Sequence, residues 1–246
     1  MLNKPLNIAH RGASALAPEN TIAAFRKALE VGAGGLEFDV HFSKDAVPVI
    51  IHDEKLERTT NGHGLVQDLN LAELQELDAG SWFSTEFAGV SIPTLDQVLD
   101  EFHSSDLVLN IELKNDIISY PGIEEAVIKR VSKRKLEERV IISSFNHSSL
   151  ETCRKINPAL RTGILYLTEI FEPWNYARSL GCYSVHPFFF HLQNPEIVNG
   201  FREHKLPVYA WTVNEIVDME LMVAVGIEAI ITDNPQDLKK ILNGGD

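Results

Sequence analysis

Residues 35–41 read GLEFDVH, and this short stretch decides how the fold is interpreted. Side chains of a β-strand alternate between its two faces, so the apolar residues share one face and Glu37, Asp39 and His41 share the other. Residues two apart on a strand are about 6.5–7 Å apart, so the carboxylates of Glu37 and Asp39 can converge on one cation. Acidic residues are disfavoured in strands, which argues for a special role. An amphipathic edge strand with its polar face in water is the alternative.

Similar apolar, β-branched runs recur along the chain and alternate with segments of helical periodicity. This alternation is typical of βαβ units and a parallel sheet. About eight units in 246 residues match a closed (β/α)8 TIM barrel of the α/β class. An open doubly wound sheet is the alternative, but its GxGxxG turn is absent. The candidate strands are Leu6–His10, Gly35–His41, Val47–His52, Leu107–Lys114, Val140–Phe145, Thr162–Leu165, Tyr183–His186, Val208–Thr212 and Ala229–Thr232.

Residues 54–92 interrupt this rhythm, because they lack a clear strand and are rich in Gly, Asp, Glu and Thr. We interpret them as a small insertion after the second barrel strand region, forming a cap on a single barrel domain, residues 1–246. The alternation resumes at Thr94, which resembles the N-cap of a helix running through Phe102. A short helix inside the insertion is predicted by the leucine spacing of Leu69, Leu71, Leu74 and Leu77.

Composition limits the partners of this protein. The chain has 22 Lys+Arg against 35 Asp+Glu, a net charge of −13, which argues against binding nucleic acid or an anionic membrane. No stretch approaches the roughly 18–20 apolar residues of a membrane helix, and the first residues do not resemble a signal peptide. We therefore expect a cytoplasmic protein without stable membrane anchoring. Cys153 and Cys182 are too few for a disulfide scaffold and are expected to be buried free thiols.

Two of the predicted strands end in histidines that could take part in proton transfer, His10 and His52. In a TIM barrel, functional side chains lie at the carboxyl ends of several strands. The first strand ends in His10-Arg11-Gly12, where His10 can exchange protons near neutral pH and Arg11 offers a rigid fork of donors to a phosphate. His52 ends an apolar run and could complete a general acid/base couple with His10. A surface His-Arg pair and a structural histidine are the alternatives.

The strand over residues 108–114 repeats the pattern of residues 35–41. Asn110, Glu112 and Lys114 share one face, which makes Glu112 a third candidate metal ligand and Lys114 a second candidate phosphate contact. A Glu–Lys pair on the surface is the alternative. Three carboxylates on two strands suit one hard divalent cation, Mg²⁺ or Ca²⁺, better than zinc.

Aromatic residues lie at or just after the ends of two of the later strands. Trp211 could form an aromatic wall for a cationic head group of a substrate. Phe188–Phe190 follow His186 and could line an apolar rim. Packing between loops is the alternative for these residues, and the role of the three phenylalanines stays open.

Five motifs, in order, together resemble those of the glycerophosphodiester phosphodiesterases. Trp211 and TDNP at 232–235 also look like the family's closing strands, so the match covers nearly the whole chain. Each motif alone is weak, but the series at these spacings is specific. The motifs are HRG at 10–12, PENT at 18–21, EFDV at 37–40, HD at 52–53 and IELK at 111–114.

The resemblance implies a phospholipase-C-like barrel and a role in glycerol and lipid metabolism. It implies metal-dependent hydrolysis of glycerophosphodiesters, such as glycerophosphocholine and glycerophosphoethanolamine, to sn-glycerol 3-phosphate and an alcohol. The nucleophile is either water or the glycerol C2 hydroxyl. The implied site consists of an acid/base pair, a metal site and phosphate contacts. By position in the motifs, the acid/base pair is His10 and His52. The metal ligands are Glu37, Asp39 and Glu112, which hold one divalent cation, and the phosphate contacts are Arg11 and Lys114.

Two other functions stay open at the level of sequence. A lysophospholipase D on the same barrel would use the same residues and need a greasy entrance, which Phe188–Phe190 could provide. A non-catalytic ligand-binding barrel would leave His10 and His52 without a role. The sequence leaves open the head-group preference, the choice between Mg²⁺ and Ca²⁺, and whether the chain forms a homo-oligomer.

Overall fold

The computed structural model describes residues 4–244, so both ends of the predicted domain 1–246 lie outside the described residues. One sheet runs through the described chain. Its strands are β1 (Leu6–His10), β2 (Gly35–Phe42), β3 (Pro48–Ile50), β4 (Val108–Leu113), β5 (Val140–Ser144), β6 (Arg161–Tyr166), β7 (Ser184–Pro187), β8 (Tyr209–Ala210) and β9 (Ala229–Thr232).

Helices separate most of these strands. Short 3-10 turns occur at Val66–Asp68, Thr85–Phe87 and Phe189–Gln193. The α-helices are α1 (Ile22–Glu30), α2 (Leu71–Gln75), α3 (Leu95–Glu101), α4 (Ile123–Lys133), α5 (His147–Ile156), α6 (Pro173–Leu180), α7 (Pro195–Glu203), α8 (Ile216–Val225) and α9 (Pro235–Asn243).

The predicted (β/α)8 barrel is confirmed. Parallel strands follow one another in the order β7-β6-β5-β4-β2-β1-β9-β8. Parallel bridges between Val185 and Val208 and between Phe188 and Trp211 join β7 to β8 and nearly close the barrel. The carboxyl ends of all eight barrel strands therefore open on one face of the molecule.

The interpretation of Val47–His52 as another strand in the parallel sequence is wrong. The structure has only Pro48–Ile50 in β3, which pairs antiparallel with β2 outside the barrel order. The turn before it is tight, with Ser43 N donating to Val47 O over 3.0 Å, whereas a parallel neighbour needs a crossover of a dozen or more residues. The returning chain brings His52 beside β2, since Ile51 N donates to Asp39 O over 3.1 Å.

Several other predicted boundaries shift by one or two residues. The strand expected over Val208–Thr212 contains only Tyr209–Ala210, because Val208 and Trp211 make isolated bridges to β7. Thr94 is the N-cap of α3 and shares a capping box with Gln97, as its hydroxyl suggested. The helix ends at Glu101, one residue before the predicted end.

The apolar face of β2 packs outward against helices. Leu36, Phe38 and Val40 are fully buried, and the Phe38 ring lies 5.5 Å from that of Phe25 on α1. Burying side chains of this size stabilises the fold by about 1.5–3 kcal/mol each. The strand is thereby fixed with its acidic face toward the barrel interior.

Residues 54–92 have a small apolar cluster of their own beside β3. Leu74 on α2 is buried in this cluster, and Asn70 and Glu73 form a capping box at the start of that helix. The predicted leucine helix is thus present, but it runs only from Leu71 to Gln75 and leaves Leu69 and Leu77 outside. The buried members of the cluster are Val49, Ile51, Leu56, Val66, Leu74, Ala79 and Ile92.

Both cysteines, Cys153 and Cys182, are buried free thiols.

Among the helices of residues 4–244, none combines the length and the apolar character needed to cross a bilayer.

Candidate active site

One pocket at the carboxyl end of the barrel brings together most of the residues that the sequence singled out. Its lining contains the two candidate acid/base histidines and the two cationic side chains, Arg11 and Lys114. It also contains two of the three candidate metal-binding carboxylates, Glu37 and Glu112. The third, Asp39, lies beside them on β2. The pocket is lined by His10, Arg11, Glu37, His52, Asn110, Glu112, Lys114, Phe145, Leu165, Trp211, Thr212 and Ile231.

Glu37, Asp39 and Glu112 form a compact carboxylate cluster. In the register of β2 and β4, Asp39 stands directly opposite Glu112. Each of the three offers an oxygen within 4.8 Å of the other two, and all three residues are buried. Asn20 Nδ2 donates to Asp39 Oδ2 over 2.8 Å and holds this carboxylate in place.

The cluster carries more negative charge than its surroundings balance. Burial and the charges of Asp39 and Glu112 raise the pKa of Glu37 well above its usual value. Burial also raises the pKa of Glu112, although the Lys114 ammonium opposes it. A divalent cation would supply the missing positive charge, and a donor set made only of carboxylate oxygens fits Mg²⁺ or Ca²⁺.

His10 is held by a residue from the far end of the chain. Its Nδ1 lies 2.6 Å from Asp233 Oδ1, just beyond β9. An ionised carboxylate only accepts hydrogen bonds, so Nδ1 donates and Nε2 is left to face the pocket, 3.9 Å from Glu37 Oε2. Ser14 and Asn214 also donate to Asp233. Burial would raise the pKa of Asp233, but these hydrogen bonds and His10 lower it to about 2.

His52 has a similar environment in the same pocket. Its Nδ1 lies 2.5 Å from Asp53 Oδ1, and its Nε2 lies 3.4 Å from Lys114 Nζ. Burial lowers the pKa of His52; nearby Asp39 opposes this shift, whereas Arg11 and Lys114 add to it. The neutral imidazole, with Nε2 as acceptor, is therefore favoured in the structure as it stands.

The two cations of the pocket are fixed by carboxylates. Arg11 adopts a left-handed backbone conformation with φ of 55°, and its backbone N–H donates to Glu37 Oε2 over 3.0 Å. Its Nη1 donates to Glu19 Oε1 over 2.9 Å. Lys114 Nζ donates to Glu112 Oε1 over 3.0 Å and lies 6.0 Å from the centre of the Phe145 ring. Both are positioned to meet an anionic group in the pocket.

The turn after His10 requires glycine. Gly12 has φ of 85°, and a Cβ at this position would lie 2.7 Å from the backbone of Ala24. The close packing of this turn on α1 sets the direction in which His10 and Arg11 leave β1.

An aromatic wall lines the other side of the pocket. Trp211 Nε1 donates to His186 O over 2.7 Å, and its ring lies 5.5 Å from that of Phe145 and 5.8 Å from that of Phe188. Phe188 in turn contacts Phe190, whose side chain is 54% exposed at the rim. The predicted aromatic residues thus form a continuous track from the pocket to solvent.

Sequence reasoning missed residues that hold the site together. Asp233 directly follows the last strand, where a barrel places functional residues, but the sequence alone assigned it no role. Arg58, in the inserted segment, donates to both Glu19 and Asp53. No local pattern marks Arg58, because its partners come from two separate loops.

Comparison with known proteins identifies the family. Residues 10–237 match the model of the glycerophosphoryl diester phosphodiesterase family. The chain belongs to this family. A glycerophosphodiester phosphodiesterase of Caldanaerobacter subterraneus subsp. tengcongensis is 48% identical over 242 residues, covering 98% of this chain and 99% of that protein.

Solved structures agree with this assignment. A glycerophosphoryl diester phosphodiesterase fold from Silicibacter pomeroyi DSS-3 superposes with a TM-score of 0.88 at 29% identity, covering 98% of this chain and 94% of the other. An Oleispira antarctica phosphodiesterase, solved with the product sn-glycerol-3-phosphate, gives a TM-score of 0.84 at 31% identity, with 98% of both chains covered. The chain is therefore an enzyme of the glycerophosphodiester phosphodiesterase family, which disfavours the non-catalytic barrel.

Proposed function

We propose that this phosphodiesterase hydrolyses small glycerophosphodiesters, such as glycerophosphocholine and glycerophosphoethanolamine, to sn-glycerol 3-phosphate and an alcohol. The observation that carries the proposal is the convergence of His10 and His52 on one pocket with a carboxylate cluster and two cations. The Oleispira antarctica relative, which binds sn-glycerol-3-phosphate as product, supports the same product here.

Glu37, Asp39 and Glu112 would hold one divalent cation, Mg²⁺ or Ca²⁺. When bound, the cation would neutralise charge that develops on the phosphoryl oxygens. Arg11 and Lys114 orient the phosphate and donate hydrogen bonds to it. These hydrogen bonds strengthen as negative charge develops on the phosphoryl oxygens. Donors fixed by carboxylates before the substrate arrives need little rearrangement during the reaction.

His10 and His52 act as the general acid/base pair in this proposal. Each is anchored through Nδ1 by an aspartate, so Nε2 is the atom that exchanges protons. One histidine removes the proton from the attacking hydroxyl, either of water or of the glycerol C2 position. Attack by the C2 hydroxyl first gives a cyclic phosphate, which water then opens to sn-glycerol 3-phosphate. The other protonates the leaving alkoxide as the P–O bond breaks.

We also propose that residues 1–246 form one catalytic domain that acts in the cytoplasm, with residues 54–92 as a cap on the pocket. Support for the cap comes from Arg58, whose Nη1 donates to Glu19 Oε2 over 2.7 Å on the loop after β1. A cap joined to this loop by charged hydrogen bonds belongs to the site rather than to a separate unit.

A second substrate class has one observation in its favour. The aromatic track from Trp211 through Phe188 to the exposed Phe190 could guide an acyl chain, as a lysophospholipase D requires. The small diester is favoured because Arg11, Lys114 and the carboxylates make much of the pocket lining charged, whereas an acyl chain needs apolar surface.

Product release from three diesters separates these substrates. The purified protein with divalent cation should release sn-glycerol 3-phosphate from glycerophosphocholine and glycerophosphoethanolamine in a coupled dehydrogenase assay. Lysophosphatidylcholine should be cleaved at least tenfold more slowly, measured as choline release. Faster cleavage of the lysolipid would make the enzyme a lysophospholipase D, and no cleavage of any diester would overturn the proposal.

A further inference from the structure

Arg58 occupies an unusual position between two carboxylates at the edge of the pocket. Its Nε donates to Asp53 Oδ2 over 2.7 Å and its Nη2 to Asp53 Oδ1 over 3.0 Å. On its other side, Nη1 and Nη2 donate to the two oxygens of Glu19 over 2.7 and 2.8 Å. One guanidinium thus makes two forked contacts at once, which a planar group with five donors allows and an ammonium does not.

Each of these carboxylates has a second partner inside the pocket. Asp53 Oδ1 also accepts from His52 Nδ1, and Glu19 Oε1 also accepts from Arg11 Nη1. The network runs without a break from His52 through Asp53, Arg58 and Glu19 to Arg11. It joins a general acid/base candidate to a phosphate-binding candidate.

The side chains of this network come from three different segments of the chain. Glu19 lies on the loop after β1, Asp53 follows β3, and Arg58 belongs to the inserted segment. The Glu19 side chain is only 12% exposed, whereas that of Arg58 is 43% exposed. A forked network at a half-exposed site is screened by solvent and contributes modestly to stability, so the main effect of Arg58 is expected on the geometry of the side chains it joins.

We infer that Arg58 is a positioning residue for phosphodiester hydrolysis, setting the orientation of His52 through Asp53 and of Arg11 through Glu19. The inference rests on the proposed function of His52 and Arg11. The network has two arms, one from Arg58 through Asp53 to His52 and one from Arg58 through Glu19 to Arg11, and they have different kinetic consequences. A misoriented His52 slows proton transfer and lowers kcat, and a misoriented Arg11 weakens phosphate binding and raises KM. A misplacement of about 1 Å can cost about 100-fold in rate.

The test compares Arg58→Met, which keeps the aliphatic stem, with Arg26→Met as the matched control. Arg26 also pairs with a glutamate, Glu101, over 2.6 Å, but on the outer helices. We expect Arg58→Met to lower kcat on glycerophosphocholine at least tenfold and raise KM at least threefold, with a Tm close to that of the unmodified protein. Arg58→Lys should recover part of kcat, since it restores one charge without the double fork.

Two further variants separate the arms. Asp53→Asn should lower kcat with little change in KM, and Glu19→Gln should raise KM with a smaller change in kcat. The inference is overturned if Arg58→Met keeps both constants within twofold of the unmodified enzyme, or if Arg26→Met causes the same loss. An inactive unmodified enzyme would instead refute the proposed function, so the two failures are distinguishable.

Discussion

At the residue scale, the same hydrogen bond occurs twice in the site. In each case an aspartate accepts a hydrogen bond from Nδ1 of a histidine, which leaves Nε2 facing the pocket. Asp53 is the sequence neighbour of His52, and the HD pair was visible in the sequence. Asp233 is 223 residues away from His10, and only closure of the barrel brings the two together. The sequence could therefore supply the histidines and one of their partners, but not the contact that depends on β1 lying beside β9.

Replacing Asp233 with asparagine should impair catalysis without unfolding the protein. The amide keeps the size of the side chain, but it removes the charge that holds His10 Nδ1 as a donor, so the wrong tautomer or ring orientation becomes populated. We expect kcat on glycerophosphocholine to fall at least tenfold, with a smaller change in KM.

The matched control is Asp237→Asn, an acidic residue of α9 that pairs with Lys240 on the same helix over 2.8 Å. It should leave kcat within twofold of the unmodified enzyme. If Asp233→Asn also leaves kcat unchanged, the orientation of His10 by Asp233 has no role in the reaction.

At the element scale, strand alternation correctly predicted which residues share a face, because a period of two follows from strand geometry. The pairing of Asp39 with Glu112 depends on the register of β2 and β4, which no local pattern encodes. β3 shows the limit of the same reasoning. Its composition predicted a strand, but its direction was set by the short turn before it, so the expectation of a parallel neighbour was wrong.

Strand β7 contributes a buried histidine that should make stability depend on pH. The His186 ring stacks on Tyr209 of β8 at 4.9 Å. Gly163 on β6 leaves the space for this ring, since a Cβ there would collide with it. Burial lowers the pKa of His186 to about 3. A histidine with a lowered pKa stabilises the fold above its unfolded pKa of about 6.5, and this contribution is lost as the pH falls toward 3.

The contribution can be measured by denaturant unfolding at pH 7 and pH 4.5. We expect His186 to account for about 2–3 kcal/mol of the stability lost between these pH values. The variant His186→Gln cannot titrate, so its loss of unfolding free energy over this range should be smaller by that amount, whatever its absolute stability. An equal loss in both proteins would show that His186 titrates normally.

At the scale of the whole molecule, an acidic protein with a net charge of −13 presents a local site suited to a phosphate. Arg11 and Lys114 supply the positive charge inside the pocket, and the carboxylate cluster supplies a place for a divalent cation. Composition correctly predicted an acidic chain long enough for a barrel. It could not predict that the inserted segment reaches the pocket through Arg58, because that contact requires three separate loops to meet.

The central claim is that hydrolysis requires a divalent cation held by Glu37, Asp39 and Glu112. The most direct measurement is the initial rate of sn-glycerol 3-phosphate release from glycerophosphocholine by protein stripped with a chelator and dialysed. We expect a rate near background for the stripped protein, recovery on adding Mg²⁺ or Ca²⁺, and little recovery in Glu112→Gln. An undiminished rate in the stripped protein, or full recovery in Glu112→Gln, would contradict it.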